Sequence, residues 1–172
     1  MNQDNVFLAN LKRCGKEVKR IELAGWNEME DIKRLVESAP GLTWLDVGKK
    51  GGSAARDRAG LGAVAPVINA VEWASILSVL PDLTTVHGVR FFYEVSPQAA
   101  ATSSSAASTN ITMTDRSRIR KNDEIASVLA WKCLKLRRVD HWEDGGGKVV
   151  VLVRDGERDR EKVRWEVRRT KQ

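Results

Sequence analysis

The segment LTWLDV at residues 42–47 decides how the rest of the chain reads. Its outline is an apolar residue, two others, then a second apolar residue. The same outline returns in VKRIEL at 18–23, LTTVHG at 83–88 and LRRVDH at 136–141, and the first two of the four segments add a third apolar position. Each is preceded by a stretch of helical character: DNVFLANLKRC, EMEDIKRLVESAP, AVEWASILSVLPD and NDEIASVLAWKCLK. In the second, Met29, Ile32, Leu35 and Val36 recur at helical spacing. In the fourth, Ile125, Val128, Leu129 and Lys132 nearly do so, with Asn122 and Asp123 placed to cap the start. The unit is therefore strand, loop, helix, strand, the pattern of parallel strands joined by helical crossovers.

The spacing from Val18 to Leu42 is 24 residues, within the leucine-rich-repeat range, whereas Leu42 to Leu83 (41) and Leu83 to Leu136 (53) exceed it. Two insertions account for the excess, GKKGGSAARDRAGLGAVAP and SPQAAATSSSAASTN, both poor in large apolar residues and both falling between strand and helix. Long loops are thus expected at about 48–69 and 93–121. A repeat array tolerates them because closure entropy grows slowly with loop length, and both should leave the array on the same edge.

After the fourth segment the period changes. KVVVLVRD at 148–155 and EKVRWEVRR at 161–169 flank a polar turn, and the second alternates: Val163, Trp165 and Val167 on one face, Lys162, Arg164, Glu166 and Arg168 on the other. The expected fold class is α/β, a leucine-rich-repeat-like open solenoid of parallel strands and helices over 1–144, closed by an antiparallel β-hairpin and basic tail over 145–172. The hairpin covers the last repeat with a polar outer face, and the GGG at 145–147 is the join. At the other end, Val6, Phe7 and Leu8 leave an apolar edge that calls for a further neighbour.

Composition sets the outer limits. The 172 residues, 42% hydrophobic and 30% charged, are those of a globular chain with one ordinary core. No apolar run is long enough to span a bilayer and the first residues do not read as a secretion signal, so the chain is placed inside the cell, in cytoplasm or nucleus, with no membrane partner. The net charge of +6 is uneven: residues 116–172 carry 17 Lys/Arg against 10 Asp/Glu, and residues 1–115 carry 12 against 13. A basic C-terminal third can meet nucleic acid, but its cations are interleaved with acids, as in RDGERDREK. The solvated-face reading therefore prevails.

The segments GLTWLDVGKKGG, NAVEWASILSVLPDLTTVHGVRFFYEVS and RSRIRKNDEIASVLAWKCLKLRRVDHWEDGGGKVVVLVRD resemble the C-terminal part of fungal F-box-like proteins carrying leucine-rich repeats, over roughly residues 18–169. That resemblance implies a substrate-receptor or adaptor role in a cullin-type ubiquitin ligase. The chain departs from the pattern in having no F-box segment ahead of its repeats, so it is expected to be a truncated relative or fragment, or to keep only the recognition surface.

In a strand of this outline, alternation turns the intervening positions outward. The candidate partner-binding residues are therefore Arg20, Glu22, Trp44, Asp46, Thr85, His87, Arg138 and Asp140, with Trp142 just beyond. Neighbouring strands would set Glu22, Asp46, His87 and Asp140 in one lateral row. Asp46, His87 and Asp140 have the chemistry of an acid–base or metal site, because flanking carboxylates orient an imidazole and raise its pKa. Repeat proteins more often present such mixed rows to protein partners, so the expectation is a non-catalytic interaction module without cofactor or metal. GKKGGS lacks the spacing of a phosphate-binding loop, and DRSRIRKND is either a phosphosite or basic docking patch, or simply the solvated approach to a helix. Cys14 and Cys133 read as buried thiols. Trp73, Trp131 and Trp165 lie on apolar faces and read as core, whereas Trp44 and Trp142 read as anchors for a partner.

Overall fold

The computed structural model describes residues 3–50, 69–95, 113–140, 148–155 and 162–169. Their elements run α1 (Gln3–Cys14), β1 (Arg20–Glu22), β2 (Gly25–Trp26), α2 (Met29–Ser38), β3 (Trp44–Asp46), β4 (Lys49–Lys50), α3 (Ala70–Leu77), β5 (Thr85–His87), α4 (Met113–Lys132), β6 (Arg138–Asp140), β7 (Lys148–Asp155) and β8 (Lys162–Arg169). The described residues form a mixed α/β structure of four helices and a six-stranded sheet of order β1-β3-β5-β6-β7-β8. The first four strands are parallel; β7 joins β6 antiparallel, and β8 joins β7 antiparallel along eight residue pairs. Among the described residues no helix is long and apolar enough to cross a membrane.

The short strands follow from their sequence outline. Ile21, Leu45, Val86 and Val139 stand in register and point into the core, as do Leu42, Leu83 and Leu136 three residues before the last three of them. Full burial of each such side chain contributes about 1.5–3 kcal/mol, enough to hold a three-residue strand that could not stand alone. The helices supply the other wall. On α2, Ile32, Leu35 and Val36 are buried at helical spacing, while Glu30 and Asp31 in its first turn complement the helix dipole. On α3, Asn69 caps the start by accepting the Glu72 N–H, and Trp73, Ala74 and Leu77 face inward.

Adjacent units are also tied by polar groups just ahead of the strands. The Thr43 hydroxyl donates to the Lys19 carbonyl at 3.0 Å, and the Thr84 hydroxyl donates to the Thr43 carbonyl at 3.0 Å. Behind the strands the backbones crowd together at Gly88 (φ +82°), where a Cβ would lie 2.7 Å from the Gly48 carbonyl oxygen. Only glycine meets both demands.

Several expectations are corrected. The loop expected over 93–121 ends earlier, because α4 begins at Met113. Its inward stripe runs Asp115, Ile119, Asn122, Ala126, Leu129, a four-three alternation that continues to Cys133 and is disguised in sequence by two polar members. Asn122 consequently caps nothing. It sits inside α4, fully buried, where its Oδ1 accepts the Tyr93 N–H at 2.8 Å and its Nδ2 donates to the Tyr93 carbonyl at 2.9 Å. Within the loop expected over 48–69, Lys49–Lys50 instead pair in parallel with Gly25–Trp26 as a second small sheet, and residues 51–68 lie outside the described residues. Trp131 is 79% exposed, on the side of α4 away from that stripe, and Cys14 is exposed at the end of α1. Cys133 is buried, and burial pushes its thiol up to about 11.

The β7–β8 pair is fixed to α4 at two places. The Arg154 guanidinium donates to the carbonyls of Ala130 (3.1 Å) and Cys133 (2.9 Å) at the helix C-terminus, where a cation also suits the dipole. The Trp165 indole N–H donates to Asp123 Oδ1 at 2.8 Å, and its ring lies 6.0 Å from that of Phe92.

Candidate functional site: the outward face of the sheet

With Ile21, Leu45 and Val86 turned inward, the residues on either side of each face outward, as does Arg138 ahead of the inward Val139. The register builds one row from Arg20 through Trp44, Thr85, Arg138 and Val151 to Glu166, a line across all six strands about 24 Å long at ~4.8 Å per strand. A second row carries Glu22, Asp46 and His87. Seven of the nine candidate residues, Arg20, Glu22, Trp44, Asp46, Thr85, His87 and Arg138, are thus brought to one face. The backbone of Asp140 lies in β6, but its side chain, like the whole of Trp142, is outside the described residues.

Three planar groups stack across the first three strands. The Arg20 guanidinium carbon lies 3.8 Å from the centroid of the Trp44 ring, and that ring lies 4.9 Å from the His87 imidazole at a 48° tilt. Each strand supplies one member. Cation–π attraction and ring packing hold the set in place, each by roughly 0.5–1.5 kcal/mol. Arg20 also lies 3.8 Å from Glu22, an exposed pair of little energetic weight.

Asp46 is engaged elsewhere. Its Oδ1 accepts the Gly48 N–H at 2.8 Å, which closes the turn leaving β3. Among the described residues no group of three or more His, Cys, Asp or Glu side chains could hold a metal ion.

The same face continues where sequence reasoning did not follow it. Val151 and Val153 are half-buried on β7, and on β8 Glu166 lies between Arg164 (3.2 Å) and Arg168 (2.8 Å). The alternation of KVRWEVRR had separated these residues from Trp165, but which side of the sheet they occupy depends on β8 pairing with β7 and β7 with β6. That pairing is a tertiary fact. Compared with known proteins, the chain matches no family model, no curated protein and no solved structure.

Proposed function

We propose that this chain is a non-catalytic protein-interaction module, a leucine-rich-repeat-like open array whose outward sheet face recognises another protein. The observation that carries the reading is the Arg20–Trp44–His87 stack. It presents arginine and aromatic groups already held in one geometry, and these are the residue types that dominate binding energy in protein interfaces. The array reading is supported by one inward apolar residue per parallel strand in continuous register, with a helix ahead of each. The β7–β8 pair is read as the cap of the last unit, its outer strand rich in charge. Following the resemblance to F-box-like repeat proteins, the partner would be a polypeptide substrate presented to a ubiquitin ligase.

The test is a photo-crosslinking amino acid at Thr85, in the middle of the row, with the crosslinked species read by mass spectrometry. A discrete protein adduct is expected. It should be lost in Trp44→Ala with Arg138→Ala, a variant that gives up the two ring contacts of the stack, about 1–3 kcal/mol, yet stays folded by circular dichroism at the assay temperature. An adduct of unchanged yield in that variant, or no protein adduct at all, overturns the reading.

A further inference from the structure

Among the described residues the end of the sheet at β1 is open in both layers: no strand lies on the outer side of β1, and on α1 Val6 is 57% and Phe7 48% exposed. The polarity of this edge is fixed by which backbone groups β1 spends on β3. The Lys19 carbonyl accepts the Trp44 N–H and the Leu23 N–H donates to the Asp46 carbonyl, so odd-numbered residues turn toward β3. By strand alternation, the N–H and C=O groups of Arg20 and Glu22 turn to the outer edge.

We propose that this edge pairs with the same edge of a second copy, antiparallel about a two-fold axis at Ile21. Going beyond the partner-binding reading, this assigns an interface to the sheet edge beside that face, sharing Arg20 and Glu22 with it. Placed so, Ile21 faces Ile21 of the other copy as a non-hydrogen-bonded pair, and Arg20 and Glu22 form the hydrogen-bonded pairs beside it, using the backbone groups left over by β3. The side chains match as well. Reversing the sequence Arg-Ile-Glu sets each Arg20 opposite the other copy's Glu22, so two ion pairs form at once. Edge strands are commonly guarded by charge that repels another edge; opposite charges two residues apart make this one complementary to its own reversed copy. Meanwhile the face of each Arg20 guanidinium remains over Trp44.

In the helix layer, α1, which precedes this edge strand, leaves Val6 and Phe7 exposed, apolar surface available to a second copy.

Sedimentation equilibrium of the full chain from about 1 to 200 µM, the range that resolves micromolar association, tests the proposal. The mass is expected to rise from 19.2 kDa toward twice that value. Glu22→Arg sets arginine against arginine at both pairs and should weaken association about tenfold or more. The exchange R20E/E22R restores opposite charges and should recover it, with far-ultraviolet circular dichroism confirming that each variant folds. A chain that stays monomeric throughout overturns the proposal, as does a dimer indifferent to Glu22→Arg. A folded R20E/E22R chain that does not recover association overturns it too.

Discussion

Replacing Asn122 tests the most consequential tie between α4 and the segment after β5. The fully buried amide makes two hydrogen bonds, accepting from Tyr93 N–H at 2.8 Å and donating to its carbonyl at 2.9 Å. Asn122→Ala deletes both and leaves two backbone groups unpaired, each costing about 1–3 kcal/mol. A loss of about 3 kcal/mol is expected, a midpoint drop of roughly 6–12 °C for a domain of this size. Asn122→Asp sharpens the test. At pH 7 its carboxylate keeps the bond from Tyr93 N–H but turns an acceptor toward the Tyr93 carbonyl, in a site that disfavours charge. Burial raises that carboxyl above its unfolded value near 4, so the folded chain takes up a proton first, and the destabilisation shrinks as pH falls from 7 toward 4. Urea denaturation followed by tryptophan fluorescence at pH 7 and pH 5 measures both variants. Were Asn122 a helix cap, Asp would serve as well as Asn and the two proteins would be equally stable at pH 7. That result, or an alanine variant losing less than about 0.5 kcal/mol, refutes the reasoning.

Gly88→Ala should cost about 2 kcal/mol or more in the same assay, because the new Cβ meets the Gly48 carbonyl at 2.7 Å and φ is +82°; a neutral result would mean that the units do not stack as described. Arg154→Met keeps the side-chain stem and removes the donors to Ala130 and Cys133, so a loss of about 2 kcal/mol is expected, with amide exchange rising first in β7 and β8. Uniform exchange across the sheet would count against that tie. Cys133, held protonated by burial to about 11 against an ordinary 9.0, contributes stability that is complete below pH 9 and lost as pH rises from 9 to 11. The wild type should lose up to about 2–3 kcal/mol more than Cys133→Ala over that interval, and parallel pH profiles would exclude the effect. At pH 8 a thiol reagent should label exposed Cys14 at once and Cys133 only on unfolding, which mass spectrometry of the native protein checks.

The parallel strands were legible because each pairs a buried apolar residue with another three positions on, as Leu42 with Leu45 and Leu136 with Val139. A strand walled by helices on one face needs those positions whatever its loops do. The start of α4 was not legible, because two of its inward positions are Asp115 and Asn122, which hydropathy assigns to solvent. Asn122 belongs inside only because Tyr93 brings it a backbone N–H and C=O to satisfy, a partner 29 residues away. Trp131 misled in the opposite sense, since an aromatic beside Leu129 and Ala130 looks like core until the helix phase is fixed. On the candidate face, outward positions followed from alternation alone, but the stacking of Arg20, Trp44 and His87 needed three strands to come into register. The pairing of Gly25–Trp26 with Lys49–Lys50 is too short to leave a periodic trace.

The meeting of Trp165 with Phe92 and Asp123 bears on how the chain is made. Strands β1, β3, β5 and β6 pair in the order in which they leave the ribosome, so each can add to the one before it in the sheet as synthesis proceeds. The ring of Phe92 meets that of Trp165 only some seventy residues later, on the last of the described strands to be translated. A nascent chain stalled before β8 would therefore carry a nearly complete sheet with one open apolar seam, a form that chaperones and proteases can tell from the finished product.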